Sequence, residues 1–459
     1  MYICTVFSLS MKIVIAGGGE VGFHLAKLLS FESLDITLID IDKERLNYAE
    51  SHLDIKTLRG NALSISMLKE ALVAEAELFI AVTSQEACNI TLAGLAKQMG
   101  AARTIARISN LEFRQLNEGV DFKALGVDEL ISPEELAALE IQQLLDQSAF
   151  TNSYEFESGA LTLIGTTLEA SVPFVGKSVK EAAALFSDVH FMPIAVLRKG
   201  TQFTMIPRGD TCFEAGDTTF FITLKEGVEE LYKLTGKSKT PIHRVMILGG
   251  GKIGINAAKE LAEKKVKVTI IEKQKSKAFS IAEDLPNAMV IHGDGCNVEL
   301  LEEEDLAQMD AFISVTGNSE TNIMACLMAK TKQVKKTIAL VENMDYFELS
   351  QSIGIDTLIN KKLLTANTIF RYIRRGDVVD MTTLNNLNVE ILEFEVHENS
   401  KVAGYKIRDL EFPRTAIIGG VIREGKGIIA LGDYQIKPGD RLVVSCLPKA
   451  IKRIESLFL

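Results

Sequence analysis

The sequence predicts an α/β protein: a tandem duplication of a Rossmann-like parallel-sheet domain followed by a small α+β domain. Two observations predict it. Short β-branched runs alternate with helix-patterned segments, which is typical of βαβ units in a parallel sheet buried on both faces. In addition, the glycine-rich stretch Lys12–Gly22 recurs as Arg244–Gly254.

The duplication extends well beyond the glycine-rich stretch. Four further blocks recur in the same order at an offset of 232 or 233 residues, and chance does not produce such a series. The paired blocks are 36–46 with 268–278, 58–62 with 291–295, 78–89 with 311–322, and 103–110 with 336–343. The chain is therefore predicted to hold two copies of one two-domain unit, whereas its length alone suggests about three domains.

Each copy begins with alternating strands and helices. In the first copy, apolar runs predict parallel strands over 13–16, 36–39, 78–82 and 104–108. The segments between them have helical periodicity and predict helices over 22–30, 43–52, 65–71 and 89–99. The second copy is expected to repeat this order.

The later part of each copy reads as a small α+β domain. Short runs separated by turns predict strands over 162–165, 219–224, 390–396 and 441–445. Helix-patterned connectors are expected over 133–147 and 363–375, and a linker between the copies over 236–240. The expected domains are 11–135, 152–235, 242–365 and 385–459. The second connector ends in a basic cluster that is either a solvated helix end or a partner-facing patch, formed by Arg371, Arg374 and Arg375.

Composition excludes several classes of protein. A net charge of −11 argues against a nucleic-acid binder. No apolar stretch reaches the length of about 18 residues that would cross a bilayer. The six cysteines and six histidines lack C-x-x-C and H-E-x-x-H spacing, which predicts neither disulfides nor a metal centre and fits a reducing, cytoplasmic compartment. Met11 is the expected working start, with residues 1–10 as an extension or a tail.

The glycine-rich stretch is a dinucleotide-binding motif in both copies. It follows a strand, opens a helix and precedes an acidic residue 23 positions later, near the usual spacing of about 20. Gly17 allows the tight turn, Gly19 lets a pyrophosphate approach the backbone, and Gly22 lets the helix pack on the sheet. The helix N-terminus offers N–H groups to the phosphates. The counterparts in the second copy are Gly249, Gly251 and Gly254.

The acid of each motif, Asp40 or Glu272, is expected to bind ribose hydroxyls. A carboxylate there also repels a 2′-phosphate, which favours NAD(H) over NADP(H). Residues 60–62 and 293–295 follow the third strands and are expected beside the adenine and ribose. The alternative to a functional binding motif is a sheet that keeps the glycines of its turn but no longer binds a nucleotide. The fourth strands end, above the expected nucleotide, at Thr83 and Thr316.

The fourth and fifth strands bring further polar residues to the same edge of the sheet. For Asn89 and Asn322, at the start of the next helix, a ligand contact and a capping role are both open. Arg107 follows the fifth strand and is expected to reach a phosphate, whereas its counterpart is Leu340. The first site is therefore the better candidate for a charged nucleotide.

Neither copy supplies the acid–base residues of a dehydrogenase. No His–Asp, Tyr-x-x-x-Lys or Cys–His arrangement recurs in both, and the P-loop pattern G-x-x-x-x-G-K-S/T is absent. Two binding motifs without a catalytic constellation favour a sensor over an enzyme, because binding energy can shift a conformational equilibrium. An NAD-dependent oxidoreductase and a structural ring adaptor without a sensing role are the alternatives.

The motifs IAGGGEVG, LIDIDKERL, AVTSQEACN, ILGGGKIG, GDG and SVTGNSETN, in this domain order, resemble the TrkA family of KTN/RCK proteins. The resemblance extends from Met11 to Leu459. It implies a regulatory subunit, not an enzyme, that lies on the cytoplasmic face of the plasma membrane and forms a homo-oligomeric ring, often a homotetramer. Such a subunit binds NAD(H) and/or ATP and ADP and gates a potassium channel subunit of the TrkH or TrkG type.

The resemblance also implies the nucleotide-binding residues, with no catalytic or metal-binding residue among them. In the first unit they are Gly17, Gly19, Glu20, Val21, Asp40, Asn61, Ala62, Thr83 and Arg107. In the second unit they are Gly249, Gly251, Lys252, Ile253, Glu272, Asp294, Gly295 and Thr316. Asn61 stands opposite Asp294 and Ala87 opposite Glu320, so the two sites are expected to differ in ligand preference.

Overall fold

The computed structural model describes residues 11–458 apart from 31–33, 111–112, 114–119, 147–151, 186–189, 202–203, 236–240, 344–345, 347–349, 351–352, 354, 356, 374–377 and 384–388. The predicted linker 236–240, residues 1–10, Arg374, Arg375 and the side chain of Arg371 therefore lie outside the described residues. The predicted fold class is confirmed: each of two parallel sheets is followed by a small antiparallel sheet.

The first Rossmann-like domain holds six parallel strands and their helices. The strands are β1 (Lys12–Ala16), β2 (Asp35–Asp40), β3 (Lys56–Arg59), β4 (Leu78–Ala81), β5 (Arg103–Arg107) and β6 (Glu129–Ile131). The helices are α1 (Glu20–Ser30), α2 (Lys43–His52), α3 (Ile65–Glu70), α4 (Glu86–Met99) and α5 (Pro133–Asp146). The strand order is β3-β2-β1-β4-β5-β6, so the chain reverses direction across the sheet between β1 and β4. Strand β1 is apolar because helices cover both faces of the sheet.

In its described residues, the first small domain is an antiparallel sheet with two α-helices. Its strands are β7 (Asn152–Phe156), β8 (Leu161–Thr167), β9 (Phe191–Leu197), β10 (Thr204–Met205) and β11 (Thr218–Thr223). Its helices are α6 (Val179–Ala183) and α7 (Lys225–Thr235). The order β10-β9-β11-β8-β7 places β11 at the centre, where its residues are almost all buried.

The second Rossmann-like domain repeats the first. Its strands are β12 (Arg244–Leu248), β13 (Lys267–Glu272), β14 (Ala288–His292), β15 (Ala311–Ser314), β16 (Lys336–Leu340) and β17 (Thr357–Ile359). Its helices are α8 (Lys252–Glu263), α9 (Lys275–Asp284), α10 (Val298–Glu303), α11 (Ser319–Thr331) and α12 (Lys361–Ile373). The order β14-β13-β12-β15-β16-β17 is that of the first sheet.

The second small domain contains β18 (Val378–Thr383), β19 (Glu390–Glu395), β20 (Ala416–Arg423), β21 (Lys426–Ile428), β22 (Arg441–Cys446) and α13 (Ile451–Phe458). Both small domains anchor the turn before their last strand in the same way. Asp217 is buried and lies 3.3 Å from Arg198, and Asp440 is buried and lies 2.6 Å from Arg423. The duplication therefore includes the small domains, whose sequences match weakly.

Three helices begin earlier than the sequence pattern predicts, the first of them α1, which starts at Glu20 rather than Gly22. Helix α4 starts at Glu86 rather than Asn89. Helix α12 starts at Lys361 rather than Leu363, because the Asn360 side chain accepts hydrogen bonds from the N–H groups of residues 362 and 363 and so caps the helix. Residues 361 and 362 consequently lie in the first turn of α12.

The two copies exchange helices across their contact. Helix α5, at the end of the first Rossmann-like domain, packs against α8 of the second, while α12 packs against α1 of the first, and α5 and α12 contact each other. One hydrophobic cluster extends from the first parallel sheet through Ala366 and Ile369 of α12 into the second small domain. A further cluster joins the two small domains. The two copies are thus one packed unit. None of the described helices is long and apolar enough to cross a membrane.

Candidate nucleotide-binding sites

A tight turn between the first strand and the first helix forms the floor of each candidate site. Gly17 has a φ of 112° and Gly249 a φ of 109°, a backbone conformation that favours glycine. A Cβ at Gly22 would lie 1.8 Å from the carbonyl oxygen of Gly17, and one at Gly254 would lie 2.0 Å from that of Gly249. The fold itself therefore requires glycine at all four positions.

Gly19 and Gly251 differ, because the space beside them is open. A Cβ at Gly19 would meet only Arg45 Nη1, at 3.8 Å, and a Cβ at Gly251 would meet nothing within 4 Å. Packing does not require glycine at either position. The open space lies at the N-terminus of a helix, where backbone N–H groups and the helix dipole favour a phosphate.

The acidic residue that ends the second strand accepts a hydrogen bond from the backbone of the glycine-rich turn and so stabilises that turn. Buried Asp40 accepts the N–H of Gly18 at 2.6 Å and the N–H two residues downstream of itself at 2.8 Å. Buried Glu272 accepts the N–H of Gly250 at 3.0 Å and the N–H two residues downstream at 2.8 Å. Because a carboxylate oxygen has two lone pairs, each acid keeps acceptor capacity for a ribose hydroxyl.

Glu272 is held in its ionised form. Burial opposes ionisation, but the hydrogen bonds from Gln274 and Gly250 and the charge of Lys277 outweigh it and lower the pKa of Glu272. A carboxylate therefore stands at this position at neutral pH, as an acceptor for a sugar hydroxyl requires.

Asn89 and Asn322 tie the ends of the fourth and fifth strands together. Asn89 Oδ1 accepts from the N–H and the hydroxyl of Thr83, at 2.8 and 2.6 Å, and its Nδ2 donates to the carbonyls of Thr83 and Arg107, at 3.1 and 2.9 Å. Asn322 makes the same bonds with Thr316 and Leu340. These bonds use the full capacity of each amide. Both residues therefore position the edge of the sheet, and neither caps a helix nor has a bond to spare for a ligand.

The first site is a pocket of about 580 Å³, within the size range of small-molecule sites of about 300–1,000 Å³. All nine residues that the resemblance implies for the first unit lie in its lining. Sequence reasoning missed several others. Arg45 lies in α2, and Ile41 and Leu63 follow the second and third strands, while Lys361 and Lys362 come from α12 of the second copy.

The two pockets differ in polarity on the side where adenosine is expected. Ile41 is 70% exposed and lies with Leu63 at the first pocket, where both offer apolar contact to an adenine ring. The equivalent positions in the second pocket hold Lys273 and Cys296, and Lys273 Nζ lies 2.8 Å from Asp294. The hydrogen bond from Lys273 lowers the pKa of Asp294, so this ion pair persists at neutral pH beside the second pocket.

The second site is a pocket of about 450 Å³. Six of the eight residues that the resemblance implies for the second unit line it. The structure places the other two outside the lining. Lys252 turns away and its Nζ donates to the carbonyl of Ser109 in the first copy at 3.1 Å, and the side chain of Ile253 is buried in the core beneath the helix.

The two repeats carry opposite charges at the start of their exchanged helices. Lys361 and Lys362 open α12, whereas Pro133 and Glu134 occupy the equivalent positions of α5. The sequence shows this reversal of charge. Which pocket each charge lies near depends on the contact between the copies, and no sequence motif predicts that contact. In the part of the chain that the structure describes, no group of three or more His, Cys, Asp and Glu is placed to hold a metal ion.

The chain matches two family models, each of them twice. The TrkA-N domain model matches residues 13–133 and 245–361, and the TrkA-C domain model matches residues 164–236 and 391–459. Except for Lys362 of α12, one residue beyond the second match, the residues that line the two pockets lie within the TrkA-N matches.

Curated relatives match over nearly the whole length. The Trk system potassium uptake protein TrkA of Haemophilus influenzae is 32% identical over 458 residues, which cover 98% of each chain. That of Halomonas elongata is 31% identical over 453 residues, again 98% of each. The TrkA homolog 1 of Methanosarcina mazei is 31% identical over 457 residues, 98% of this chain and all of that one.

Solved structures share the fold. The crystal structure of the GsuK RCK domain aligns with a TM-score of 0.61 and 16% identity, covering 98% of this chain and 96% of that one. The GsuK channel bound to NAD aligns with a TM-score of 0.61 and 16% identity, covering 98% and 79%. The domain models and the relatives that match over nearly the whole length show the family of this chain. It belongs to the Trk system potassium uptake proteins TrkA.

Proposed function

We propose that this chain is a nucleotide-sensing regulatory subunit that binds NAD(H) or adenine nucleotides at its Rossmann-like sites. Through them it controls a membrane potassium channel subunit of the TrkH or TrkG type. The observation that carries the proposal is the pair of glycine turns whose phosphate side is open at Gly19 and Gly251. The names of the family's members supply the link to potassium uptake.

The site chemistry supports binding rather than turnover. The polar groups that line the first pocket suit phosphate, ribose and adenine, and the described residues of that lining include no histidine or tyrosine to serve as the acid–base group of hydride transfer. The GsuK channel, which shares the fold, has been solved with NAD bound. A bound nucleotide changes the protein only if it prefers one conformation, and a pocket lined by both copies offers that preference.

Location and assembly follow from the same proposal. The subunit lies on the cytoplasmic face of the membrane beneath its channel and forms a homotetrameric ring. In this proposal the channel supplies the membrane-spanning part.

The decisive experiment places an acid at the open positions. Gly19→Asp and Gly251→Asp fit the free space but bring a carboxylate to the expected phosphate. Titration calorimetry with NADH, ATP and ADP should show that each single variant loses one site, by at least tenfold in affinity, and that the double variant binds none. Melting temperatures close to that of the wild type should confirm that the fold is retained.

Matched controls and a cell assay complete this test. Gly209→Asp adds a carboxylate to the first small domain, at an exposed position that lines neither pocket and where a Cβ would meet only the Lys180 Cβ, at 3.8 Å, so it should leave the affinity unchanged. In cells that depend on this chain for potassium uptake, the double variant should alter the uptake rate. Wild-type protein that binds no nucleotide at millimolar concentration would disprove the proposal.

A further inference from the structure

The first pocket is built by both copies of the repeat. Lys361 and Lys362, at the start of α12, line it together with residues of the first Rossmann-like domain. The lining of the second pocket, as far as the described residues show, comes from the second copy alone. A ligand in the first pocket therefore contacts both copies at once.

Packing and capping fix the position of these two lysines. Asn360 caps α12 and the helix packs along α1, which brings the lysines to the N-terminus of α1. The Lys362 side chain is only 14% exposed, and its Nζ lies 3.0 Å from Glu20 and 3.3 Å from the carbonyl oxygen of Glu342. Lys361 forms an ion pair with the Glu342 carboxylate. Both ammonium groups are thus held at the pocket by acidic residues.

The charges of the two pockets differ accordingly. Among the described residues, the first pocket is lined by four cationic side chains and two acidic ones, the second by two of each. The second copy has Leu340 in place of Arg107, and the helix equivalent to α12 brings Glu134 instead of Lys362. Glu134 lies 3.6 Å from Arg107. Cations thus outnumber acids in the lining of the first pocket but not in that of the second, while two acids outside the first lining, Glu134 and Glu342, pair with three of its four cations.

We propose that Lys361 and Lys362 bind the terminal phosphates of a nucleoside di- or triphosphate in the first pocket. This assignment rests on the proposed nucleotide binding. A terminal phosphate carries more charge than the internal pyrophosphate of a dinucleotide, so it gains more from two ammonium groups. It replaces Glu20 and Glu342 as their partner and thereby joins α12 to α1. The first site thus distinguishes ATP and ADP from AMP and NAD by their phosphate ends.

The test measures phosphate preference at the first site alone. Gly251→Asp removes the second site in every protein used, and EDTA prevents magnesium from masking phosphate charge. Titration calorimetry then compares ATP with AMP. In Lys361→Gln/Lys362→Gln the affinity for ATP should fall at least about tenfold, whereas that for AMP should change by less than about threefold. Lys225→Gln, at the exposed start of α7, is the control and should change neither.

A second variant guards against a change in fold. Glu20→Gln removes the exposed acid that competes for Lys362, so it should raise the affinity for ATP relative to AMP. If both lysine and glutamate variants leave the ATP-to-AMP ratio unchanged, this inference is wrong while the proposed function stands. If the parent protein binds no nucleotide at all, both are wrong.

Discussion

A single buried amide fixes the edge of each parallel sheet at the point where a nucleotide is expected. Asn89 spans the fourth and fifth strands, and its four hydrogen bonds satisfy the amide completely. One of its partners is the carbonyl of Arg107, whose side chain lines the first pocket. The amide therefore acts on the site through the backbone, without touching a ligand.

Removing this amide should destabilise the fold. Asn89→Ala leaves the Thr83 N–H and the Arg107 carbonyl unpaired, and we expect a loss of about 2–3 kcal/mol in the free energy of unfolding. Urea denaturation followed by circular dichroism measures it. Asn47→Ala, at an exposed position of α2, should change stability by less than about 0.5 kcal/mol. Equal effects of the two substitutions would contradict this role of Asn89.

Whether a site residue can be predicted from the sequence depends on how far apart in the chain the residues that form its surroundings lie. Asp40 and the glycines could be predicted because the turn, the helix and the acid are close in sequence and follow a fixed spacing. Lys361 could not be predicted, because the pocket it lines belongs to the other copy. The sequence leaves a ligand contact and a cap both open for Asn89, since each places asparagine near a helix start, and it does not reveal that this residue bonds the ends of two strands.

At the scale of elements, α5 and α12 carry the contact between the copies. Both follow the last strand of a Rossmann-like domain and pack on the other domain. In α5, Ala137, Ile141 and Leu145 belong to the core of the second domain. The sequence predicted two helical connectors here, but amphipathic spacing does not reveal which domain an apolar face covers.

Helix α5 also carries a carboxyl group whose charged form is destabilised by burial. Burial raises the pKa of Glu140 to about 7, from an ordinary value of 4.5. A raised folded-state pKa means that the charged form opposes folding, so stability falls as pH rises from about 4.5 to about 7. Glu140→Gln should therefore stabilise the protein by about 2 kcal/mol more at pH 8 than at pH 5.

Denaturation at the two pH values tests this prediction. Glu303→Gln, an exposed glutamate of α10, is the control for the loss of one negative charge. A stabilisation by Glu140→Gln that is the same at pH 5 and pH 8, or none at all, would show that Glu140 does not carry this pH dependence.

At the scale of the whole molecule, the duplication was readable in the sequence and the packing of its copies was not. Ordered blocks at a constant offset establish two copies, and glycine turns with alternating strands and helices establish the parallel sheets. The exchange of helices depends on contacts between residues far apart in the chain, such as Ala366 with the first domain. No local pattern specifies those contacts.

The exchanged helices predict how separated copies behave. Residues 11–235 and 242–459, produced as two chains in one cell, should co-purify as a complex, because the apolar faces of α5 and α12 have their partners on the other copy. Each fragment alone should aggregate. Affinity capture and size-exclusion chromatography measure both. Ile141→Asp, in the face of α5 that packs on the second copy, should abolish capture; soluble, non-associating fragments without this substitution would refute the prediction.

The covalent fusion of the copies has a consequence for their divergence. In a symmetric dimer of identical single-repeat chains, a substitution at the start of the exchanged helix would alter both pockets together. In this chain the same position holds Glu134 in one copy and Lys362 in the other. Fusion has released the two pockets from that symmetry, so that selection can tune each of them to a different metabolic signal within one molecule.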